Sequence, residues 1–159
     1  MNSTQQDRWR ALLEEFVDAR IDAPELLERV ATLLPPGADP AEEVLTRLAE
    51  GEFKLRPPAG RLAFIRRLEQ FAAGEASYAE LDLWCFSLWQ TEAFAPEAAP
   101  IDAETALLQN VLGWIQDWED EESRPEAATL RELGEILARE NDPELCLEKM
   151  VEALEGSSD

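Results

Sequence analysis

The chain has 159 residues, 45% of them hydrophobic, with 35 acidic against 14 basic side chains and no histidine, for a formal net charge of -21. That balance disfavours direct binding to DNA or RNA, which needs a cationic face, and disfavours a seat on an anionic membrane surface. The missing imidazole removes Ser-His-Asp and Cys-His catalysis and every histidine metal ligand.

Size and apolar content predict one helical domain over residues 1–159, leaving room for a loop break near residues 91–100. No apolar run approaches the roughly 20 residues that span a bilayer. The opening MNSTQQDRWR has no apolar h-region of a secretory signal. Together with only two cysteines, Cys85 and Cys146, this points to a reducing, cytoplasmic setting.

In chain order, residues 5–19 are predicted as a first helix, opened by a Ser3/Gln6 capping box, with Trp9, Leu12, Leu13, Phe16 and Val17 on one stripe. Asp22 and Glu25 cap a second helix with Pro24 in its first turn. It buries Leu26, Leu27, Val30, Leu33 and Leu34 before Pro35-Pro36-Gly37. Asp39 and Pro40 start a shorter third helix carrying Val44, Leu45 and Leu48, which ends near Gly51. In residues 52–60, EFKLRPPAG, Phe53 and Leu55 alternate with charges. This allows a short extended segment that the two prolines limit.

Residues 61–89 read as the centre of the chain: two amphipathic helices folded back on each other across a bend at Gly74. The first carries Leu62, Ile65, Leu68, Phe71 and Ala72, and Gly74 sits where a left-handed C-cap belongs. The second opens on a Ser77/Glu80 capping box and carries Leu81, Trp84, Cys85, Leu88 and Trp89. Leu83, Phe86 and Trp89 widen its apolar surface, as a partner groove, a self-association face or simply a central helix buried on most sides would require.

Residues 91–100, TEAFAPEAAP, read as a breaker with Phe94 pinned to the core. Asp102 caps a sixth helix bearing Leu107, Leu108, Val111, Leu112, Ile115 and Trp118. A Ser123/Glu126 capping box, with Pro125 in the first turn, precedes Leu130, Leu133, Ile136 and Leu137. Asn141 and Glu144 open a last helix with Leu145, Leu147, Met150, Val151 and Leu154, and the tail GSSD is expected to fray. The class is all-α: a single-domain bundle of antiparallel helical hairpins, about eight helices. Residues 12–34 and 67–89 also align without a gap, matching Leu13, Glu14, Phe16, Glu25, Leu26 and Leu33 to Leu68, Glu69, Phe71, Glu80, Leu81 and Leu88. Shared helix-turn-helix grammar and true duplication both produce such a match.

Catalytic signatures are missing: neither cysteine has a CxxC partner, and no GxGxxG or P-loop pattern occurs. The carboxylates fall on the polar faces of their helices. The expectation is therefore a non-enzyme with no catalytic residue, no metal site and no cofactor. The densest charge is WIQDWEDEES, where Asp117, Glu119, Asp120, Glu121 and Glu122 crowd a helix C-terminus and the following turn. Negative charge there opposes the helix dipole. These five, with Trp114 and Trp118 as aromatic anchors, form the candidate partner-binding set, against the plainer reading of a solvated acidic loop. The basic cluster Lys54, Arg56, Arg61, Arg66 and Arg67 is expected to pair with the chain's own acids rather than grip an acidic peptide or phosphate.

The string Phe71-x-x-Gly74, Ser77, Glu80-Leu81 and the hydrophobic helix after it resembles the small helical bacterial toxin-immunity proteins of the colicin D immunity type. That resemblance implies a cytoplasmic, acidic helical bundle that occupies the basic active site of a toxic nuclease, and it transfers no binding residue. The expected partner is thus a basic protein, a toxin or nuclease, with the oligomeric state left open. A DNA-mimic inhibitor of a nuclease, such as an anti-CRISPR protein, shares the same physics. A helical chaperone or adaptor holding a partner helix in an apolar groove is the alternative from another class.

Overall fold

The structure, a computed structural model, describes residues 2–157. Among them are eight α-helices: α1 (Ser3–Val17), α2 (Ala23–Ala31), α3 (Pro40–Ala49), α4 (Leu62–Ala72), α5 (Tyr78–Leu88), α6 (Ala103–Asp117), α7 (Ala127–Arg139) and α8 (Pro143–Ser157). The all-α single-domain class therefore stands. Among the described residues the extended segment at residues 52–60 contributes one isolated bridge, Leu55 to Thr91, and no sheet.

Short polar side chains set the helix starts by accepting the free backbone N–H groups of the first turn. Asp22 accepts from Glu25 N at 2.9 Å, Asp39 from Ala41 N at 3.0 Å and Asp102 from Thr105 N at 2.7 Å. Ser77 and Glu80 form the reciprocal box. Three expected starts are corrected. Asn2, not Ser3, caps α1 through Gln5 N, so Ser3 is already helical. Asp142, not Asn141, accepts from Glu144 N at the start of α8. The Ser123/Glu126 box does not form, because Pro125 holds Arg124 extended (φ -74, ψ 131) and forbids a helical turn across it. Helix α7 begins at Ala127 instead. At the other end α8 continues through Gly156 to Ser157, so only the last two residues of the tail expected to fray lie outside the described ones.

One turn is built twice. After α1, Ala19 N donates to Phe16 O at 3.0 Å and Arg20 N to Glu15 O at 2.9 Å. After α4, Gly74 N donates to Phe71 O at 3.1 Å and Glu75 N to Gln70 O at 2.9 Å. Both are the paired bonds of a Schellman C-cap, and both place a left-handed residue at the same aligned position, Ala19 at φ 58 and Gly74 at φ 73. The next helices also start in step, at Ala23 and Tyr78. Thus the ungapped alignment corresponds to a shared local geometry. A left-handed alanine costs about 1–2 kcal/mol relative to its ordinary conformation; here its methyl is buried.

The core gathers Trp9, Leu13, Phe16, Phe64, Leu68, Trp84, Leu88 and Ile115 among its fully buried side chains. Helix α5 lies at its centre, touching α1, α2, α3, α4 and α6. This fits a helix that is apolar on nearly all sides. The two helices of the expected hairpin meet each other only lightly: α4 packs chiefly on α7, and α7 in turn on α8. On α7 the residue set against α4 is Gly134. A Cβ added at Gly134 would lie 3.9 Å from Glu69 Cγ.

The inward side of α4 differs from the expected stripe. Ala63, Phe64, Arg67 and Leu68 face inward, while Leu62, expected in the stripe, is 56% exposed. Leu45 and Leu145 are likewise exposed where burial was expected. Most of the basic cluster is bound internally. Arg67 is buried, donating to Phe16 O at 2.8 Å and Ile21 O at 2.9 Å beneath the Phe16 and Trp84 rings. Burial pushes its guanidinium down to about 10, so it stays charged at neutral pH. Arg56 pairs with Glu14 at 2.7 Å, Arg66 reaches Ala19 O at 3.4 Å, and Arg61 bridges to Glu104.

Candidate functional site

Helix α6 buries Leu107, Leu108, Val111, Leu112 and Ile115 and ends beside the start of α5. Its free C-terminal carbonyls are met by two side chains, Tyr78 from the start of α5 and Arg124 from just beyond the following turn. The Tyr78 hydroxyl shares its one proton between Ile115 O at 3.0 Å and Gln116 O at 3.1 Å. Arg124 Nε donates to Trp118 O at 2.6 Å, with a second bond to Glu119 O at 3.3 Å. The guanidinium also lies over the Tyr78 ring at 4.9 Å and the Phe71 ring at 5.9 Å. A cation thus occupies the negative end of the helix dipole, which offsets the unfavourable placement of the acids.

The turn beyond carries those acids outward. Asp120 Oδ1 accepts from Glu122 N at 3.1 Å and caps a single 3-10 turn, Glu121–Ser123. Asp117, Glu119, Asp120, Glu121 and Glu122 are all exposed. Glu121 comes no nearer than 3.9 Å to Arg124 and its side chain is 88% exposed. The two tryptophans part company. Trp114 is half-buried and packs against the core. Trp118 is 3% exposed and stacks parallel to Phe71 at 6.4 Å, so it is corrected from surface anchor to core residue. From the C-cap of α6 its ring reaches Phe71 on α4 rather than solvent.

Electrostatics connect this edge to α5. Burial, then the Glu119 charge, pushes the Asp82 carboxyl above its usual range. Burial first, with Asp82 and Glu119 adding to it, pushes the Tyr78 phenol from 10.0 up to about 12. Because the folded value is raised, the stabilisation from the neutral phenol is fully present below pH 10.0 and is lost as pH rises through about 12. The chain has a single tyrosine, so phenolate absorbance has one source. A titration should give a midpoint near 12 in the folded protein and near 10 in urea; one value in both states would contradict this environment.

Between α2, α3 and α5 runs a trough of about 420 Å³. Its walls are Leu27, Ala41, Leu45, Leu83 and Phe86, and its charged lining residues are Glu80 and Asp82. Leu83 and Phe86 had an apolar signal in sequence, whereas α2 and α3 gave no sign that they form the opposite wall. No group of three or more His, Cys, Asp or Glu side chains among the described residues is arranged to hold a metal ion. No helix among the described residues is long and apolar enough to cross a membrane. Both cysteines are buried thiols, and burial pushes each of them up, away from the reactive thiolate. No family model, curated protein or solved structure matches the chain.

Proposed function

We propose that this protein is an acidic inhibitor that neutralises a basic protein partner, most specifically a cognate nuclease-type toxin, in the manner of an immunity protein. The observation that carries the reading is the exposed carboxylate edge at residues 117–122, standing on a helix end already capped by Tyr78 and Arg124. Because the capping is internal, the acids are held in place yet left to face outward. Such a surface meets a cationic cleft where nucleic acid phosphates would lie, and steers fast association. A DNA mimic directed at another nuclease would use the same surface; the likeness of residues 71–81 to immunity proteins favours the toxin.

A nuclease encoded beside this gene would be the partner to test. Replacing Asp117, Glu119, Asp120, Glu121 and Glu122 together by Asn or Gln keeps the cap at residue 120 and removes the charge. The association rate should fall by about 10–100-fold and lose much of its salt dependence, as rim charges act chiefly on encounter. Unchanged association and inhibition would remove this edge from the interface.

A further inference from the structure

We propose that the trough between α2, α3 and α5 seats an amphipathic helix of the basic partner, its apolar side filling the groove and its flanking Lys and Arg meeting Asp82 and Glu119. This rests on the reading of the chain as an acidic binding protein, and names the element that it holds.

The groove has the form that a helix fills. Ala41 and Leu45 line it from α3 at helical spacing, and Ala79, Leu83 and Phe86 line it from α5 at i, i+4 and i+7. From Ala79 to Phe86 the α5 row runs about 10 Å, two helical turns, which suits anchors at i, i+3 or i+4, and i+7 of an incoming helix. Leu45, 47% exposed on the rim, is the kind of side chain that such contact would cover.

Charge selects among occupants. The charged side chains lining the groove are both carboxylates. A second copy of this chain would bring its own net charge of -21 to the same surface, and a two-fold contact would set like charge against like. A neutral small molecule would find carboxylates and no cationic donor in the lining. A cation-flanked helix satisfies both halves of the surface at once. The groove also lies beside the acidic edge, since Tyr78, one turn before Asp82 on α5, meets the carbonyls at the end of α6 from which that edge continues.

The probe is a labelled synthetic peptide of about 18 residues, five helical turns, with leucines at i, i+3, i+4 and i+7 and lysines beside them. Two controls accompany it: the same composition in scrambled order, and glutamate in place of each lysine. Anisotropy with the full chain should show the cationic amphipathic peptide binding at least about tenfold more tightly than the scramble, and the glutamate version not binding. Leu45→Ser, at a side chain 47% exposed, should shift the melting temperature by only a few degrees and weaken binding about tenfold, and Phe86→Ala should weaken binding likewise. If amphipathic and scrambled peptides bind alike and Leu45→Ser changes nothing, the groove is overturned as the seat while the acidic-partner reading survives. If neither lysine peptide binds, both fall. If the wild type sediments as a dimer that Leu45→Ser splits, a second copy is the occupant and the proposal is overturned.

Discussion

Trp84→Ala should lower unfolding free energy by about 4 kcal/mol, the larger of the two stability losses foreseen here. The indole is fully buried, packs edge-on against Phe64 at 5.0 Å and lies near the Arg67 guanidinium at 5.7 Å. Truncation leaves a cavity bounded by α1 and α4, for which Trp→Ala costs run about 3–5 kcal/mol. It also removes the bond from Trp84 Nε1 to Val17 O at 3.0 Å, worth about 1 kcal/mol. Trp84→Phe keeps most of the bulk and should cost about 1–2 kcal/mol, separating volume from hydrogen bond. Urea unfolding followed by circular dichroism measures both. A Trp84→Ala loss below about 1.5 kcal/mol would mean that α5 is not the centre of the core.

Arg61→Met should cost about 3 kcal/mol, through a different mechanism. The guanidinium is mostly buried, its side chain 13% exposed. It holds the Glu104 carboxylate with Nε and Nη2 and donates to the carbonyls of Leu137 at 2.9 Å and Asn141 at 3.3 Å, as well as that of Glu140. One side chain therefore joins the start of α4, the first turn of α6 and the exit from α7. Its charge sits at the negative end of α7, and its partner Glu104 at the positive end of α6, so each charge meets the helix end that favours it, although the start of α4 gains nothing from a cation. Methionine fills the volume but strands a carboxylate and several carbonyls. Arg61→Lys keeps the charge without the fork and should recover about half of the loss. Because the site is screened from solvent, about 0.5 M salt should alter the Arg61→Met difference little, in contrast to the exposed edge at residues 117–122. A difference that vanished in salt would show an ordinary surface ion pair.

Both residues mark where sequence reading ended. Helix starts were legible at Asp22, Asp39, Ser77 and Asp102, because a cap is a local bond over three residues or fewer. Which side of a helix faces inward was harder to see. Adjacent positions differ by about 100°, and α4 offers apolar side chains at Leu62 and Ile65 as well as at Phe64 and Leu68. The Trp84 and Phe94 rings that receive Phe64 decide between them, and residue 62 carries no mark of it. Arg67 reads as surface by charge, yet the carbonyls that bury it come from the turn after α1. The acidic edge was visible as a run of letters. Its support was not, since Tyr78 lies 37 positions from the carbonyl that it meets. The groove was half visible on α5 and wholly hidden on α2 and α3.

The packing of α4 on α7 bears on how the chain matures at the ribosome. When Ala72 emerges, the element that covers its helix has yet to be made, and it is complete only at Arg139. At ~5–20 residues per second this leaves a greasy flank open for roughly 3–13 s of translation. A nascent chain stalled inside that window would offer chaperones and proteases a target that the finished protein withholds.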